Sequence, residues 1–369
     1  MKALFSKLLL KGSIKRTQNG SVVERPWIES SKKLDRLLSD ERKEILSVWG
    51  GVKSTNLMSL DFDFWRFYKT FESFNSHFVP DDVFFCLITK CLNFLPYGQT
   101  AQHKGLYPKT FCGIRQPKVF VNCINDILYD CDYQKIGMEK AVSILSAIDD
   151  FIVKPTENSS CGLQVKKIIS RNFNLDRLLK ESGNNFICQE CIKQSGITSV
   201  FNDSSLNTFR MTSLYLNGNC TVENILFRHG RNGSIVDNGA AGGIMVGVDP
   251  LSGQFRKYGY DKWLKKYECS ETGIRYNDTC IREIPGIVNQ LCCWHKQYLP
   301  HLGVVGWDIA INEQDEPVFI EVNISYPGIA LEQLCSNKPI FGKRVEEVID
   351  YVCNHQENLH WSQYYGRFS

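Results

Sequence analysis

Three oxygen-bearing side chains lie close together near the end of the chain. Asp308 lies in the apolar segment 304–312, and Glu321 and Asn323 lie in a second apolar segment, 317–323. Two carboxylates and an amide are hard oxygen ligands of the kind that Mg²⁺ prefers, with its remaining positions taken by water or phosphate oxygens. If folding brings these side chains together, the chemistry they support is the binding of magnesium and a polyphosphate. The alternative is a solvated polar face of an edge hairpin.

The spacing of these residues predicts a β-hairpin. Residues alternate between apolar and polar in both segments, as in half-buried strands, and a polar four-residue loop, 313–316, separates them. With Asn312 opposite Pro317, Ala310 pairs with Phe319 and Asp308 pairs with Glu321. This register puts Phe319, Glu321 and Asn323 on one face. It also puts Gly306 opposite Asn323, where a missing side chain leaves room for a ligand.

Basic residues upstream could neutralise phosphate charge. Lys154 ends the apolar segment 151–153, just before Pro155. Arg210 and Arg228 carry guanidinium groups whose forked donors suit phosphate oxygens. A snorkelling surface lysine and salt-bridged scaffold arginines remain the alternative interpretations.

The hairpin resembles the metal-binding hairpin of ATP-grasp enzymes, and in particular the sugar-transfer-associated ATP-grasp family. The resemblance rests on Gly306 to Ile311 followed by Pro317 to Asn323, and it covers roughly residues 118–342. It implies that Asp308, Glu321 and Asn323 hold Mg²⁺ against the phosphates of ATP. The segment 205–210 resembles the family's Asn-Thr-x-Arg signature, and 227–230 also looks familial, so Arg210 and Arg228 are the implied catalytic cations.

The same resemblance assigns a nucleotide site. It implies that Lys154 is the phosphate-binding lysine and that the loop 158–162 covers the phosphates, although this loop has fewer glycines than is usual in the family. It also implies that adenine and ribose bind where a strand leads into the hinge, with Glu190 as the candidate acid. The implied nucleotide-binding residues are Lys154, Ser159, Ser160, Gly162, Gln189, Glu190, Cys191 and Ile192.

The resemblance implies an ATP- and Mg²⁺-dependent ligase. Such an enzyme activates a carboxylate as an acyl phosphate, which an amine or hydroxyl then attacks, and the family suggests a role in cell-surface polysaccharide biosynthesis. A kinase acting on a sugar or glycan precursor could use the same site. A non-catalytic nucleotide-binding protein is the third hypothesis, and the intact metal-ligand set argues against it.

The helices and strands predicted from the sequence indicate an α+β fold. Apolar spacing indicates helices over 30–49, 61–74 and 80–94, so the first hundred residues are predicted to be mainly helical. Strands are predicted at 151–153, from 163, and at 185–192, 221–228, 235–238 and 244–248, with a helix over 285–298. We expect a helical region over 1–100, an ATP-grasp domain of two α+β subdomains clasping the nucleotide over 101–345 with a hinge near 190–194, and a C-terminal helix or tail over 346–369.

The composition of the chain argues against some classes of function and favours others. The net charge of +3 over 369 residues, without a dense basic cluster, argues against nucleic-acid binding. The fifteen cysteines predict reduced thiols in a cytoplasmic protein rather than disulfides, and for Cys188 and Cys191 two thiols on a buried strand are favoured over a zinc site. The basic residues 1–20 allow two interpretations, a frayed terminus or peripheral contact with an anionic membrane surface.

Overall fold

The mixture of helices and antiparallel sheets confirms the α+β prediction. The computed structural model describes residues 9–15, 28, 33–93, 95–157, 164–234, 236–237, 239, 242–325, 327–360 and 363.

The described part of the first hundred residues is mainly helical, as predicted, with shifted boundaries. Residues 9–15 are helical, and four named helical stretches follow. The first two are α1 (Ser39–Ser54) and α2 (Asp63–Phe71). The third is continuous and consists of α3 (Asp81–Val83), a π-helix (Phe84–Ile88) and α4 (Thr89–Leu92). The fourth is α5 (Leu95–Gln102). The predicted helix over 30–49 begins only at Ser39, because residues 33–38 run in irregular backbone.

A five-stranded antiparallel sheet forms the first α+β unit. Its strands are β1 (Val119–Ile124), β2 (Ile127–Tyr129), β3 (Asp150–Pro155), β4 (Lys166–Ile169) and β5 (Phe186–Glu190), in the order β2-β1-β5-β3-β4. Helices α7 (Met138–Ser146) and α8 (Leu175–Glu181) follow β2 and β4 along the chain, and a short α6 (Tyr107–Thr110) precedes β1. Strand β3 pairs directly with β5, so Lys154 lies opposite Ile187.

A seven-stranded antiparallel sheet forms the second unit. Its strands are β6 (Thr208–Leu216), β7 (Asn219–His229), β8 (Ile244–Val248), β9 (Phe255–Tyr260), β10 (Lys266–Tyr267), β11 (Val304–Ile311) and β12 (Pro317–Asn323), in the order β10-β9-β8-β7-β6-β11-β12. The remaining α-helices are α9 (Gly196–Ser199), α10 (Ile284–Tyr298), α11 (Ala330–Ser336) and α12 (Val345–Asn354).

The prediction of a strand at 235–238 is wrong for the two residues of this range that the structure describes. Val236 and Asp237 lie in irregular backbone, and Ile235 and Asn238 lie outside the described residues. The Val236 amide donates to the Ser234 hydroxyl at 3.2 Å, a local side-chain bond that competes with sheet pairing.

The two faces of the large sheet bury different neighbours. One face carries Phe209 and Trp307, which pack in a core with α10. The opposite face carries Leu214 and Val304, whose core includes the N-terminal helices. Arg210 and Asp308 lie on the same face as Leu214 and Val304, further along their strands. The N-terminal helices therefore share a core with the sheet that carries the candidate site.

The β11–β12 hairpin has the predicted pairing at the site and a different one near its loop. Asp308 pairs with Glu321 and Gly306 with Asn323, as predicted. The predicted pairs Ala310–Phe319 and Asn312–Pro317 are wrong, because Ile320 is an extra residue that forms a β-bulge. The bulge turns Phe319 into the core beside Phe111 and Trp307, away from the face of Glu321.

Every cysteine in the described part of the chain is free, which fits the prediction of reduced thiols. Cys161 lies outside that part. Cys188 is buried on β5 and Cys191 is half-buried just beyond it. No group of three or more His, Cys, Asp or Glu residues that could hold a metal ion occurs among the described residues. Among the same residues, no helix has the length and apolar character needed to cross a bilayer.

Candidate active site

Asp308 lies at the centre of the candidate site, between two arginines. Arg210 donates to its carboxylate through Nε at 2.5 Å and Nη2 at 3.1 Å, and Arg228 Nη2 lies 3.0 Å away. Strand pairing explains this convergence, since β6 lies between β7 and β11 and Asp308 is directly opposite Arg210. Burial alone would raise the pKa of Asp308, but the two guanidiniums hold it below its usual range.

A second acid holds Arg228 from the other side. Thr208 donates its hydroxyl hydrogen to Asp237 and accepts from Arg228 Nη2 at 2.6 Å. Arg228 Nε is 3.7 Å from the Asp237 carboxylate. Burial raises the pKa of Asp237, and the nearby guanidinium opposes that rise. Arg228 therefore bridges Asp308 and Asp237.

Glu321 faces lysines rather than arginines. Its carboxylate lies 2.9 Å from the ammonium of Lys104, which is nearly fully buried. Lys104 stands in a short 3₁₀ turn, Lys104–Leu106, and its backbone N–H donates to Thr156, two residues after Lys154. Sequence reasoning missed Lys104, and its place before Gly105 was the only signal available.

Lys154 is buried at the end of β3 and lacks an ion-pair partner among the described residues. The pKa of its ammonium is lowered to about 8, chiefly by burial and also by repulsion from Lys104, with Glu321 and Asp308 partly compensating. A buried ammonium without a bonded anion is unfavourable by itself. The position therefore suits an anionic ligand.

Asn323 completes the predicted ligand set on the same face. Its amide Nδ2 is buried and has no hydrogen-bond partner among the described residues, so no protein contact fixes its orientation. Gly306 lies opposite, but a side chain there would contact Pro327 at 3.0 Å. The expectation that Gly306 clears space for a ligand is therefore wrong, since Pro327 occupies that space.

A further buried acid, Glu332 on α11, lies next to the arginines. It accepts a hydrogen bond from Thr212 at 2.9 Å, and its second oxygen has no partner in the described structure. Burial raises the pKa of Glu332 to about 8, with Arg210 offsetting part of the rise. Burial therefore favours the neutral form of Glu332.

The charges in the site favour a polyanion bound with a metal. Four cations, Lys104, Lys154, Arg210 and Arg228, surround the acids of the site, which are Asp308, Glu321, Asp237 and Glu332. The ammonium and guanidinium donors of these cations fit phosphate oxygens. The oxygens of Asp308, Glu321 and Asn323 fit Mg²⁺, provided that the cations bonded to the two acids turn to the phosphates. The residues present therefore fit ATP and magnesium.

The predicted adenine-binding segment connects the two sheets. After Glu190 the chain crosses to the second unit, where Ser195 N–H donates to Ile311 at 2.9 Å and Glu313 N–H to Lys193 at 3.0 Å. Gln189 is buried, and Cys191 and Ile192 are half-buried at this crossing.

Glu190 already has partners of its own. Arg115 binds its two oxygens at 3.0 and 3.1 Å, and the Lys118 N–H donates to it at 3.0 Å. A ribose hydroxyl would have to share this carboxylate with them. The predicted phosphate-covering residues Ser159, Ser160 and Gly162 lie outside the described residues.

Lys104 and Lys154 from the first unit and Arg210 and Arg228 from the large sheet converge on the paired acids of the hairpin, as the resemblance to ATP-grasp enzymes implies. The family model for sugar-transfer associated ATP-grasp proteins matches residues 99–348. The chain therefore belongs to this family, and the resemblance and enzyme class inferred from the sequence are confirmed. By sequence, no curated protein matches the chain.

Solved structures with a similar fold are distant in sequence. The chain is 12% identical to an L-amino acid ligase from Bacillus licheniformis (TM-score 0.40), covering 72% of this chain and 50% of that one. It is 9% identical to D-alanyl-alanine synthetase A from Vibrio cholerae (TM-score 0.43), covering 70% of this chain and 67% of that one. It is 12% identical to the ATP-grasp ligase PsnB, solved with Mg and ADP (TM-score 0.39), covering 71% of this chain and 61% of that one. The chain spans about half to two thirds of the length of these structures.

Proposed function

We propose that this protein is an ATP- and Mg²⁺-dependent ligase that activates a carboxylate for transfer to an amine or hydroxyl in the synthesis of a cell-surface polysaccharide. The observation that carries the proposal is the convergence of Lys104, Arg210 and Arg228 on the paired acids Asp308 and Glu321, with the buried Lys154 beside them. The family's name supports the link to sugar transfer. When bound, MgATP supplies the γ-phosphoryl group and a metal charge that offsets developing negative charge.

The chain's own residues would orient the nucleotide. Lys104 and Lys154 lie where the small sheet faces the hairpin, so both can bind phosphate oxygens from one side. Arg210 and Arg228 approach from the large sheet and can stabilise charge that develops during phosphoryl transfer. Asp308, Glu321 and Asn323 would hold the metal, and Gln189 to Ile192 would contact the adenosine.

The proposal is tested by following the phosphate. The protein is incubated with γ-labelled ATP, Mg²⁺, candidate amino or hydroxy acids and glycan precursors. A ligase releases labelled inorganic phosphate and ADP in step with a new amide or ester. Label retained on the isolated product would instead identify a kinase, and ATP binding without turnover on any precursor would identify a non-catalytic nucleotide-binding protein.

A further inference from the structure

The turn that joins β9 to β10 carries an exposed tryptophan among basic residues. Trp263 is 75% exposed, an unusual state for a side chain that gains from burial. Basic residues occur in the turn and its two strands, and together with Trp263 we call them the Trp263 surface: Arg256, Lys257, Lys262, Lys265 and Lys266. Two of them have acidic partners, since Lys257 lies 3.5 Å from Glu268 and Lys266 lies 3.2 Å from Glu72. Residues 255–268 hold five basic and two acidic residues, a net +3 that equals the charge of the whole chain.

The turn is built so that Trp263 must face outward. Asp261 is buried and accepts from the N–H groups of Trp263 and Lys265 at 2.9 and 3.1 Å, which fixes the backbone. Leu264 packs into the core that contains the N-terminal helices. Because these contacts fix the backbone of the turn, the indole stays exposed, with the Lys262 ammonium 5.2 Å from the centre of its ring.

Edge protection explains only part of this surface. Strand β10 is the edge of the large sheet, and lysines on an edge deter pairing with another chain. That role suits Lys265 and Lys266. It does not explain an exposed indole, which adds apolar surface where edge protection needs charge.

We propose that the Trp263 surface docks on an anionic membrane. Tryptophan settles at the headgroup level of bilayers because its ring is apolar and its N–H is polar. Lysines and arginines next to it add electrostatic attraction to anionic lipids. An acidic glycan fits less well, because the Lys262 ammonium lies 5.2 Å from the centre of the Trp263 ring and occupies a face on which a sugar would stack.

The surface lies at the site's end of the sheet. Arg231, three residues after Arg228, donates to the Tyr267 hydroxyl at 2.8 Å and lies 3.5 Å from Asp261. These contacts tie the turn to the end of β7 that carries Arg228. Docking would therefore bring the candidate active site close to molecules held at the membrane, whatever reaction the site performs.

Co-sedimentation of the full chain with lipid vesicles tests the proposal. We expect binding to phosphatidylcholine vesicles that contain phosphatidylglycerol, and little binding to pure phosphatidylcholine. Lys265→Glu should weaken binding by ~5-fold or more, from about 1 kcal/mol per basic residue near the surface. Trp263→Ala should weaken it as well, with ATP binding unchanged.

Matched controls separate this surface from others. Leu251→Ala removes a side chain that is 85% exposed in the β8–β9 turn, and Lys166→Glu reverses an exposed charge on β4; both should bind vesicles like the wild type. Vesicle binding that survives Trp263→Ala and Lys265→Glu would overturn the proposal, since another surface, such as the basic N-terminus, would be responsible. Absence of vesicle binding, or Trp263-dependent binding to hyaluronate instead, would also overturn it.

Discussion

At the scale of single residues, the acids of the hairpin have unequal structural roles. Asp308 is buried and bonded to two arginines, whereas Glu321 is 28% exposed at its side chain and bonded to Lys104 alone. Removing one partner of a buried ion pair leaves an uncompensated charge. A mutation at Asp308 or Glu321 therefore tests folding as well as metal binding. The effect on folding should be smaller at Glu321, where one ion pair is lost instead of two.

We predict that Glu321→Gln abolishes Mg²⁺-dependent ATP turnover, by at least ~100-fold, while the protein still folds, because the amide is a poor metal ligand but keeps the shape of the side chain. Asp308→Asn should abolish turnover too and should lower the unfolding temperature. Turnover at several Mg²⁺ concentrations and thermal unfolding measure both effects. Wild-type turnover in Glu321→Gln would remove this residue from the metal site, and Glu313→Gln in the exposed loop is the control.

Lys154 should make ATP affinity depend on pH. Its ammonium, with a pKa of about 8 in the free protein, must be charged to bind phosphate, so affinity should fall as pH rises through 8. In Lys154→Met the affinity at pH 7 should drop and this pH dependence should disappear. Calorimetric titration with ATP between pH 7 and 9 measures both, and unchanged affinity would exclude Lys154 from the site.

The same lysine should destabilise the protein without ligand. Because folding lowers its pKa from 10.5 to about 8, the unfolded chain binds more protons between these values. Stability from this group therefore rises with pH from about 8 to 10.5, and the penalty is fully present below pH 8. Lys154→Met should unfold at a higher temperature than wild type at pH 7 but gain less from added ATP. Equal unfolding temperatures without ATP would contradict the burial of an uncompensated charge.

At the scale of elements, the hairpin shows what the sequence could and could not predict. The pairing of Asp308 with Glu321 follows from alternation and loop length, both of which are local. The bulge at Ile320 is set by packing of Phe319 against aromatic residues from α6 and the segment after it, which no local pattern records. For the same reason Lys104 was missed, since its role comes from a contact with Glu321 over two hundred residues away.

Because the bulge places Phe319 in the core, we expect this side chain to contribute strongly to the free energy of unfolding. Its ring centre lies 4.8 Å from that of Phe111 and 5.0 Å from that of Tyr107, inside the core. Phe319→Ala should therefore cost about 3–5 kcal/mol of unfolding free energy. Ile320→Ala, at the half-buried bulge position, should cost about 1 kcal/mol. Urea unfolding measures both, and a small loss for Phe319→Ala would favour the regular register, in which Phe319 shares the face of Glu321.

At the scale of the whole molecule, the N-terminal helices and the family domain share one core. The family model begins at residue 99, yet Leu214 and Val304 of the large sheet pack in a core with Trp49 and Phe84. Local helical periodicity identified those helices, but it gave no indication of the surface they cover. That surface lies on the same face of the large sheet as Arg210 and Asp308.

Gln333 on α11 links the two regions and offers a test of this shared core. Its amide accepts from the Val79 N–H at 2.9 Å and donates to Val79 O and to the Tyr68 hydroxyl, each at 2.9 Å. Gln333→Ala would leave the buried N–H and C=O of Val79 without this partner, and we expect a loss of about 2–6 kcal/mol at 1–3 kcal/mol for each of these two groups. Urea unfolding should remain a single transition, because both regions unfold together.

Deleting residues 1–94 should have a stronger effect than any point mutation. The deletion would expose Leu214, Leu226 and Val304, which are at most 4% exposed in the full chain, next to the charged site. We expect the remaining chain to be insoluble or to unfold without cooperativity, since a sheet with one bare apolar face cannot stay monomeric. Solubility and calorimetry of residues 95–369 measure this. A soluble fragment that binds ATP with wild-type affinity would show instead that the family domain folds alone and that the helices are an accessory.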